Sequence, residues 1–174
     1  MPAARFVEQL NTQIGNEFAA HSQYLACAVY YDDQTMPQMA AFFYAQALEE
    51  RDHSMMMVQY LLDTGAEVII PGIQGPENSF ADVVAPVKLA LDHEKGVTEQ
   101  INTLVRIARE ESDFASEQFM QWFIKEQVEE VATMSDLLAV VTRNRDAVED
   151  IEEYVAREQG ANVADPSAPR IAGA

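Results

Sequence analysis

The residues of this chain best suited to chemistry are a glutamate and a histidine three positions apart, Glu50 and His53. The apolar residues around them recur every three or four positions, which is the period of one helix face. Both side chains therefore project inward, about one turn apart. An ionised carboxylate in an apolar interior is costly unless a positive charge compensates it. These neighbours favour a metal ion over the alternative, an ion pair at the surface.

The second half of the chain repeats this pattern of inward polar residues. One constant offset relates two sets of three, namely Glu17, Glu50 and His53 in the first half and Glu94, Gln127 and Glu130 in the second. In a bundle of four helices, all six side chains would converge on one interior point. Carboxylate-bridged di-metal bundles use such an arrangement. Packing alone does not explain an inward acid at one level of four helices, so the sequence predicts a metal centre.

Four long helices and a short fifth one are predicted to position these residues. The predicted ranges are 4–31, 37–64, 83–111, from an N-cap at Asp113 to 142, and 146–158. Pro37 suits the first turn of the second helix, and Gly65 suits a left-handed C-cap at its end. The long connection over 65–82 suits a bundle whose successive long helices are not simple antiparallel hairpins. Its residues 67–70 read as an extended segment and a candidate for pairing with a partner chain.

The chain is expected to hold one domain and a tail. Its 174 residues with 48% hydrophobic content suffice for one core, which we assign to residues 1–159. Residues 160–174 are rich in proline and alanine, and we expect this tail to be too polar to pack and therefore mobile.

The composition limits the binding partners and the cellular compartment that are expected for this protein. A formal net charge of −18 argues against nucleic-acid binding and suits a surface or cavity that attracts cations. The single cysteine, Cys27, excludes an intramolecular disulfide and indicates a reducing compartment. No apolar run is long enough to span a membrane, and the N-terminus lacks an apolar signal segment. We therefore expect a cytoplasmic protein with no membrane partner.

Along almost its whole length, the chain resembles the bacterial non-haem ferritins. The resemblance is carried by Tyr24 and by residues 16–18, 49–53, 91–95 and 121–127. It implies an all-α, ferritin-like four-helix bundle with a long crossover between the second and third helices and a short fifth helix. It also implies a homo-oligomeric cage of about 24 subunits that oxidises Fe(II) with O2 or peroxide and stores ferric mineral inside.

The resemblance further implies a di-iron ferroxidase centre within each subunit. Glu17, Glu50 and His53 are similar to the ligands of the first iron. Glu50 as a bridge, with Glu94 and Glu130, is similar to the ligands of the second. An imidazole on the first site alone makes the second site the more labile. This favours transit and storage of iron, which enters as Fe(II) and is kept as Fe(III), over a retained redox cofactor.

The same resemblance implies roles for further residues. Gln127 lies near the second iron site, and Tyr24 matches a tyrosine beside the centre. Glu49, Glu126 and Glu129 are similar to the ligands of a third, outer iron site.

Two departures separate the chain from the bacterioferritins. Arg51 stands where those proteins carry a haem-ligating methionine, and Glu130 stands where their fourth helix ends its motif in histidine. No haem is therefore expected.

The predicted function is iron storage with ferroxidase activity. One alternative is a shell subunit that binds iron without oxidising it, although six inward polar residues would then have no purpose. The other is a di-iron carboxylate oxidase acting on an organic substrate, which would favour a second Glu-x-x-His.

Overall fold

The computed structural model describes residues 1–158 and 165–174. Its helices are α1 (Ala4–Asp33), α2 (Pro37–Asp63), α3 (Ala85–Glu110), α4 (Phe114–Arg143) and α5 (Val148–Glu158). No strand occurs among the described residues. The all-α prediction is confirmed, and each helix boundary lies within about two residues of its predicted position.

Local sequence signals set the helix ends as expected. Pro37 is the first residue of α2, where its missing N–H costs nothing. Gly65 follows the end of α2 with φ of 67°, a conformation that favours glycine. The side chain of Asp113 accepts a hydrogen bond from the backbone N–H of Ser116 and so caps α4.

The long helices pack as two close pairs, α1 with α2 and α3 with α4, while α1 also contacts α3 and α5 packs on α2 and α4. The interior contains two apolar clusters rather than one. The first includes Tyr31, Phe43 and Leu137, and the second includes Phe6 and Leu104. Along each long helix, the predicted site residues lie between the stretches that build these two clusters. A layer of polar side chains, which we call the polar level, therefore crosses the middle of the bundle.

The crossover between α2 and α3 is tied along α1 by side-chain amides. Asn11 donates from Nδ2 to the carbonyl of Glu67 at 2.9 Å and accepts from the N–H of Ile69 at 2.7 Å. Gln23 makes the same pair of bonds with the backbone of Glu77, at 2.9 and 2.8 Å. Each amide thus satisfies one N–H and one C=O of a segment that has no strand partner within the described chain. Pairing of residues 67–70 with a partner chain stays a prediction.

The expectation that the tail does not pack is wrong for residues 165–174. Ala168, Ile171 and Ala172 lie against the second apolar cluster, and the N–H of Ala172 donates to the carbonyl of Met55 at 3.1 Å. The physical reason is that short apolar side chains among the prolines bury surface, and the backbone gains a partner on α2. Residues 159–164, which include the start of the predicted tail, lie outside the described residues.

None of the helices in the described parts of the chain combines the length and hydropathy that crossing a bilayer requires.

Candidate metal centre

The structure buries every one of the six polar residues predicted to face inward. None is more than 5% exposed: Glu17, Glu50, His53, Glu94, Gln127 and Glu130. Within the described chain, no lysine or arginine pairs with any of the four glutamates among them. Buried acids without a cationic partner are rare in proteins and need an explanation.

Three of these residues form a compact group, which we call the inner group: Glu17, Glu50 and His53. Each offers a ligand atom within 4.8 Å of the others, and Nδ1 of His53 lies 3.7 Å from Oε2 of Glu50. Glu17 Oε2, Glu50 Oε1 and His53 Nε2 are buried and have no hydrogen-bond partner among the residues that the structure describes. Since buried polar atoms are nearly always paired, these three atoms fit a site for a cation.

Glu94 lies beside the inner group and is held by two hydrogen bonds. The hydroxyl of Tyr24 donates to its Oε1, and Nε2 of Gln127 donates to its Oε2 at 3.4 Å. Thr98 in turn donates from Oγ1 to Oε1 of Gln127 at 3.0 Å, which fixes the amide so that its NH2 faces Glu94. Tyr24 and Gln127 therefore position a carboxylate on α3.

Glu130 lies on the α4 side of the same polar level. Burial raises its pKa well above the usual range, and the nearby charges of Glu49, Glu50 and Glu94 raise it further. Neither Glu94 nor Glu130 belongs to the compact inner group in the described structure. The structure therefore brings Glu17, Glu50 and His53 together, and places Glu94 and Glu130 in the electrostatic reach of Glu50.

The crowding of these acids shifts their pKa values upward. Burial is the largest cause for Glu17, followed by the charge of Glu50. Burial and the charge of Glu94 raise the pKa of Glu50 in the same way. Burial raises the pKa of Glu94 to about 7, although the hydrogen bond from Tyr24 opposes the rise. The site therefore retains protons near neutral pH, and a cation that binds there must displace them.

A second group lies next to the first and nearer the solvent, and we call it the outer group: Glu49, His53 and Glu126. Their ligand atoms also lie within 4.8 Å of one another. Burial raises the pKa of both carboxyl groups, and His53 opposes the rise. Glu129, predicted to belong here, is outside the group, and its exposed carboxylate lies 3.7 Å from Nζ of Lys125. His53 is common to both groups, so they are adjacent.

Sequence reasoning missed one buried partner of the inner group. Gln13 is fully buried and donates from Nε2 to Oε1 of Glu17 at 2.8 Å, leaving Oε2 of that carboxylate free. The available signal was its position four residues before Glu17, on the same face of α1. A long amide at that spacing can orient the carboxylate.

The donor set determines which chemistry the site suits. Carboxylate oxygens with one imidazole bind iron in both oxidation states, and the carboxylates stabilise Fe(III) more than Fe(II). A site of this kind lowers the cost of removing one electron from each bound Fe(II).

Comparison with known proteins agrees with this geometry. A family model described as Ferritin-like domain matches residues 7–144. The chain is 53% identical over 169 residues to Ferritin BfrB of Mycolicibacterium smegmatis, covering 97% of this chain and 93% of that one. It is 34% identical over 143 residues to Bacterial non-heme ferritin of Staphylococcus aureus, covering 82% and 86%.

A solved structure shows the same fold. An open pore ferritin from the hyperthermophilic archaeon Archaeoglobus fulgidus superposes with a TM-score of 0.86 at 28% identity, covering 90% of this chain and 97% of that one. The buried acids, the five-helix fold and these matches lead to one conclusion: the chain belongs to the ferritin family of iron-storage proteins.

Proposed function

We propose that this protein is a ferroxidase that oxidises Fe(II) at a di-iron centre within each subunit and stores the ferric product. The observation that carries the proposal is the inner group, in which three buried ligand atoms find no hydrogen-bond partner, and no lysine or arginine offsets the charge, within residues 1–158 and 165–174. The arrangement is unfavourable without a bound cation. Oxidation is favoured over binding alone because carboxylate ligands stabilise Fe(III) more than Fe(II).

The residues of the centre take distinct roles. Glu17 and His53 hold the first Fe(II), Glu50 bridges, and Glu94 with Glu130 holds the second. The two Fe(II) ions together give up two electrons, which with two protons reduce O2 to hydrogen peroxide or hydrogen peroxide to water. The glutamates supply negative charge that favours the ferric product, and they release protons as iron enters. The hydroxyl of Tyr24 and the amide of Gln127 keep Glu94 in place.

The outer group is proposed to bind a third iron. Glu49 and Glu126 are its ligands, and Nε2 of Gln46 positions Glu49 by donating to its Oε2 at 2.8 Å. Glu129 would join only after leaving Lys125. Since these residues are nearer the solvent, this site adjusts turnover and is not needed for the first oxidation.

Assembly into a cage of about 24 subunits is part of the same proposal. It is supported by exposed apolar side chains that a lone subunit would leave in water. Leu25 and Val29 share one face of α1, and Tyr44 and Leu48 share one face of α2, because each pair is four residues apart. With Ile69, Ile70 and Ile73 of the crossover, we call these side chains the exposed apolar face. Exposed apolar surface of this kind suits a protein–protein interface.

The test is addition of Fe(II) in air to wild type, Glu50→Ala and Glu99→Ala. Glu99 is an exposed acid on α3 and serves as the matched control. Ferric absorbance is followed in a stopped-flow instrument, and particle mass is measured afterwards. We expect Glu50→Ala to slow the fast phase at least about tenfold and Glu99→Ala to leave it unchanged. Equal fast phases in all three proteins would refute the proposal.

A further inference from the structure

The C-terminal segment, residues 165–174, lies over the opening that leads to His53. It lines a cleft of about 700 Å³ together with His53, Glu49 and Glu126. Three contacts along its length hold the segment on the bundle: Asp165 with Trp122, Ala172 with Met55, and Arg170 with Asp63. The segment is therefore part of the surroundings of the metal centre.

Asp165 is the most strongly held residue of this segment. Its Oδ2 accepts from Nε1 of Trp122 at 3.1 Å and lies 3.4 Å from Nζ of Lys125. Its Oδ1 accepts from the N–H and the hydroxyl of Ser167, at 2.8 and 2.7 Å. The bonds from Ser167, and then the one from Trp122, keep the pKa of this carboxyl well below its usual range. Asp165 is therefore a fixed anion that holds the indole in one orientation.

Trp122 transmits this constraint to the metal centre. Its ring packs edge-to-face against the imidazole of His53, with centroids 5.6 Å apart at 73°. Phe123 packs against the same imidazole, at 5.9 Å and 76°. In the described part of the chain Nε2 of His53 has no hydrogen-bond partner, so these two rings and Glu50 set the imidazole's orientation there. Metal-ligating histidines normally depend on a carboxylate or carbonyl for this purpose.

We propose that Asp165 is a positioning residue for the metal centre, and that it acts through Trp122 to hold His53 in its metal-binding orientation. The proposal rests on the proposed function, because it requires His53 to bind a metal ion. It gives the C-terminal segment a purpose beyond covering apolar surface. Loosening the segment at Asp165 then weakens the inner group, although Asp165 touches none of its members.

The test uses the full-length protein and two readouts. Trp122 is the only tryptophan, so emission excited at a wavelength that tyrosine does not absorb reports the Asp165 contact. Zn2+, which is not oxidised, probes the affinity of the centre by calorimetric titration. The variants are Asp165→Ala, Trp122→Phe and the double variant. Arg170→Ala is the matched control, since it removes another tail contact, the 3.7 Å pair with Asp63.

We expect Asp165→Ala to red-shift the emission of Trp122 and to make it more accessible to acrylamide. The same variant should weaken Zn2+ binding about tenfold, the lower end of the usual effect of residues that orient a metal-bound histidine. Arg170→Ala should change neither readout. In the Trp122→Phe background, Asp165→Ala should have no further effect on Zn2+, because the connection is already broken.

Three results would overturn the proposal. The first is unchanged emission in Asp165→Ala, which would mean that the contact does not hold Trp122. The second is that Asp165→Ala still lowers Zn2+ affinity in the Trp122→Phe background. The effect would then come from the lost negative charge of Asp165 and not from Trp122. The third is shifted emission with unchanged Zn2+ affinity. If wild type and Glu50→Ala bound Zn2+ equally, the proposed metal centre would fail instead, whereas the emission arm would still test the Asp165 contact.

Discussion

At the scale of single residues, His53 is central because both the inner and the outer group include it. It is the only imidazole among the predicted ligands, and its buried Nε2 has no hydrogen-bond partner within the described chain. The inner group without it would consist of carboxylates alone. Such a set binds Fe(II) less well, since it lacks the imidazole nitrogen that is a suitable ligand for iron.

The first prediction is that His53→Ala slows fast Fe(II) oxidation at least about tenfold while particle mass stays that of wild type. Loss of the imidazole removes a ligand and does not touch the exposed apolar face. Stopped-flow absorbance and mass photometry make the two measurements. Oxidation at the wild-type rate would show that His53 is not a ligand.

The second prediction concerns Glu94, whose pKa rises from the ordinary 4.5 to about 7 on folding. Between these values the folded protein keeps a proton that the unfolded chain has lost, so stability falls as pH rises through this window. The cost at neutral pH is on the order of 3 kcal/mol. Glu94→Gln should therefore raise the melting temperature of the metal-free protein at about pH 7, and should weaken Zn2+ binding.

Calorimetry checks this prediction by measuring melting temperatures at about pH 5 and pH 7. The metal-free proteins compared are wild type, Glu94→Gln and the control Glu99→Gln. The gain from Glu94→Gln should shrink at the lower pH, where the carboxyl is protonated in the folded protein. A variant that melts below wild type at both values would mean that other groups already compensate the charge of Glu94.

The sequence was sufficient to predict which residues face the inner group, and insufficient to predict all of their hydrogen-bond and ion-pair partners. The helical period places Glu17, Glu50 and His53 inward, and the structure brings them together. The period says nothing about side-chain rotamers, however, so Gln13 was missed and the pairing of Glu129 with Lys125 was not foreseen. Long side chains at a partly exposed position choose among nearby partners by small energies.

At the scale of elements, the bundle accepts a polar level because each long helix contributes apolar residues above and below it. The two apolar clusters supply the packing that stabilises the fold, and the polar level between them supplies little. Helix ends could be predicted because Pro37, Gly65 and Asp113 act locally. The position of residues 165–174 could not be predicted, because it depends on a surface that forms only after the helices pack.

The third prediction tests how closely the crossover lies on α1. Alanine normally favours a helix over glycine by about 1 kcal/mol. A Cβ at Gly15, however, would lie 2.6 Å from Cγ of Pro71, whereas one at Gly96 would meet nothing within 4 Å. Gly96→Ala should therefore raise the melting temperature by roughly 2–4 °C and Gly15→Ala should lower it. Equal increases in both variants would show that the crossover moves away easily.

At the scale of the whole molecule, a net charge of −18 and an exposed apolar face have complementary consequences. The charge attracts Fe(II) to the protein and keeps particles apart. The apolar face favours contact between subunits. The fourth prediction is that the native particle contains about 24 subunits, as measured by mass photometry without iron. A protein that stays as single subunits or pairs would have no cavity in which to store mineral.

The central claim is that two iron ions bind inside each subunit at the polar level of the bundle. Anomalous diffraction at the iron edge, from crystals soaked in Fe(II) without oxygen, tests it most directly. We predict two peaks that share Glu50, one beside Glu17 and His53 and the other beside Glu94 and Glu130. Peaks confined to exposed acids, with none between the two apolar clusters, would contradict the account.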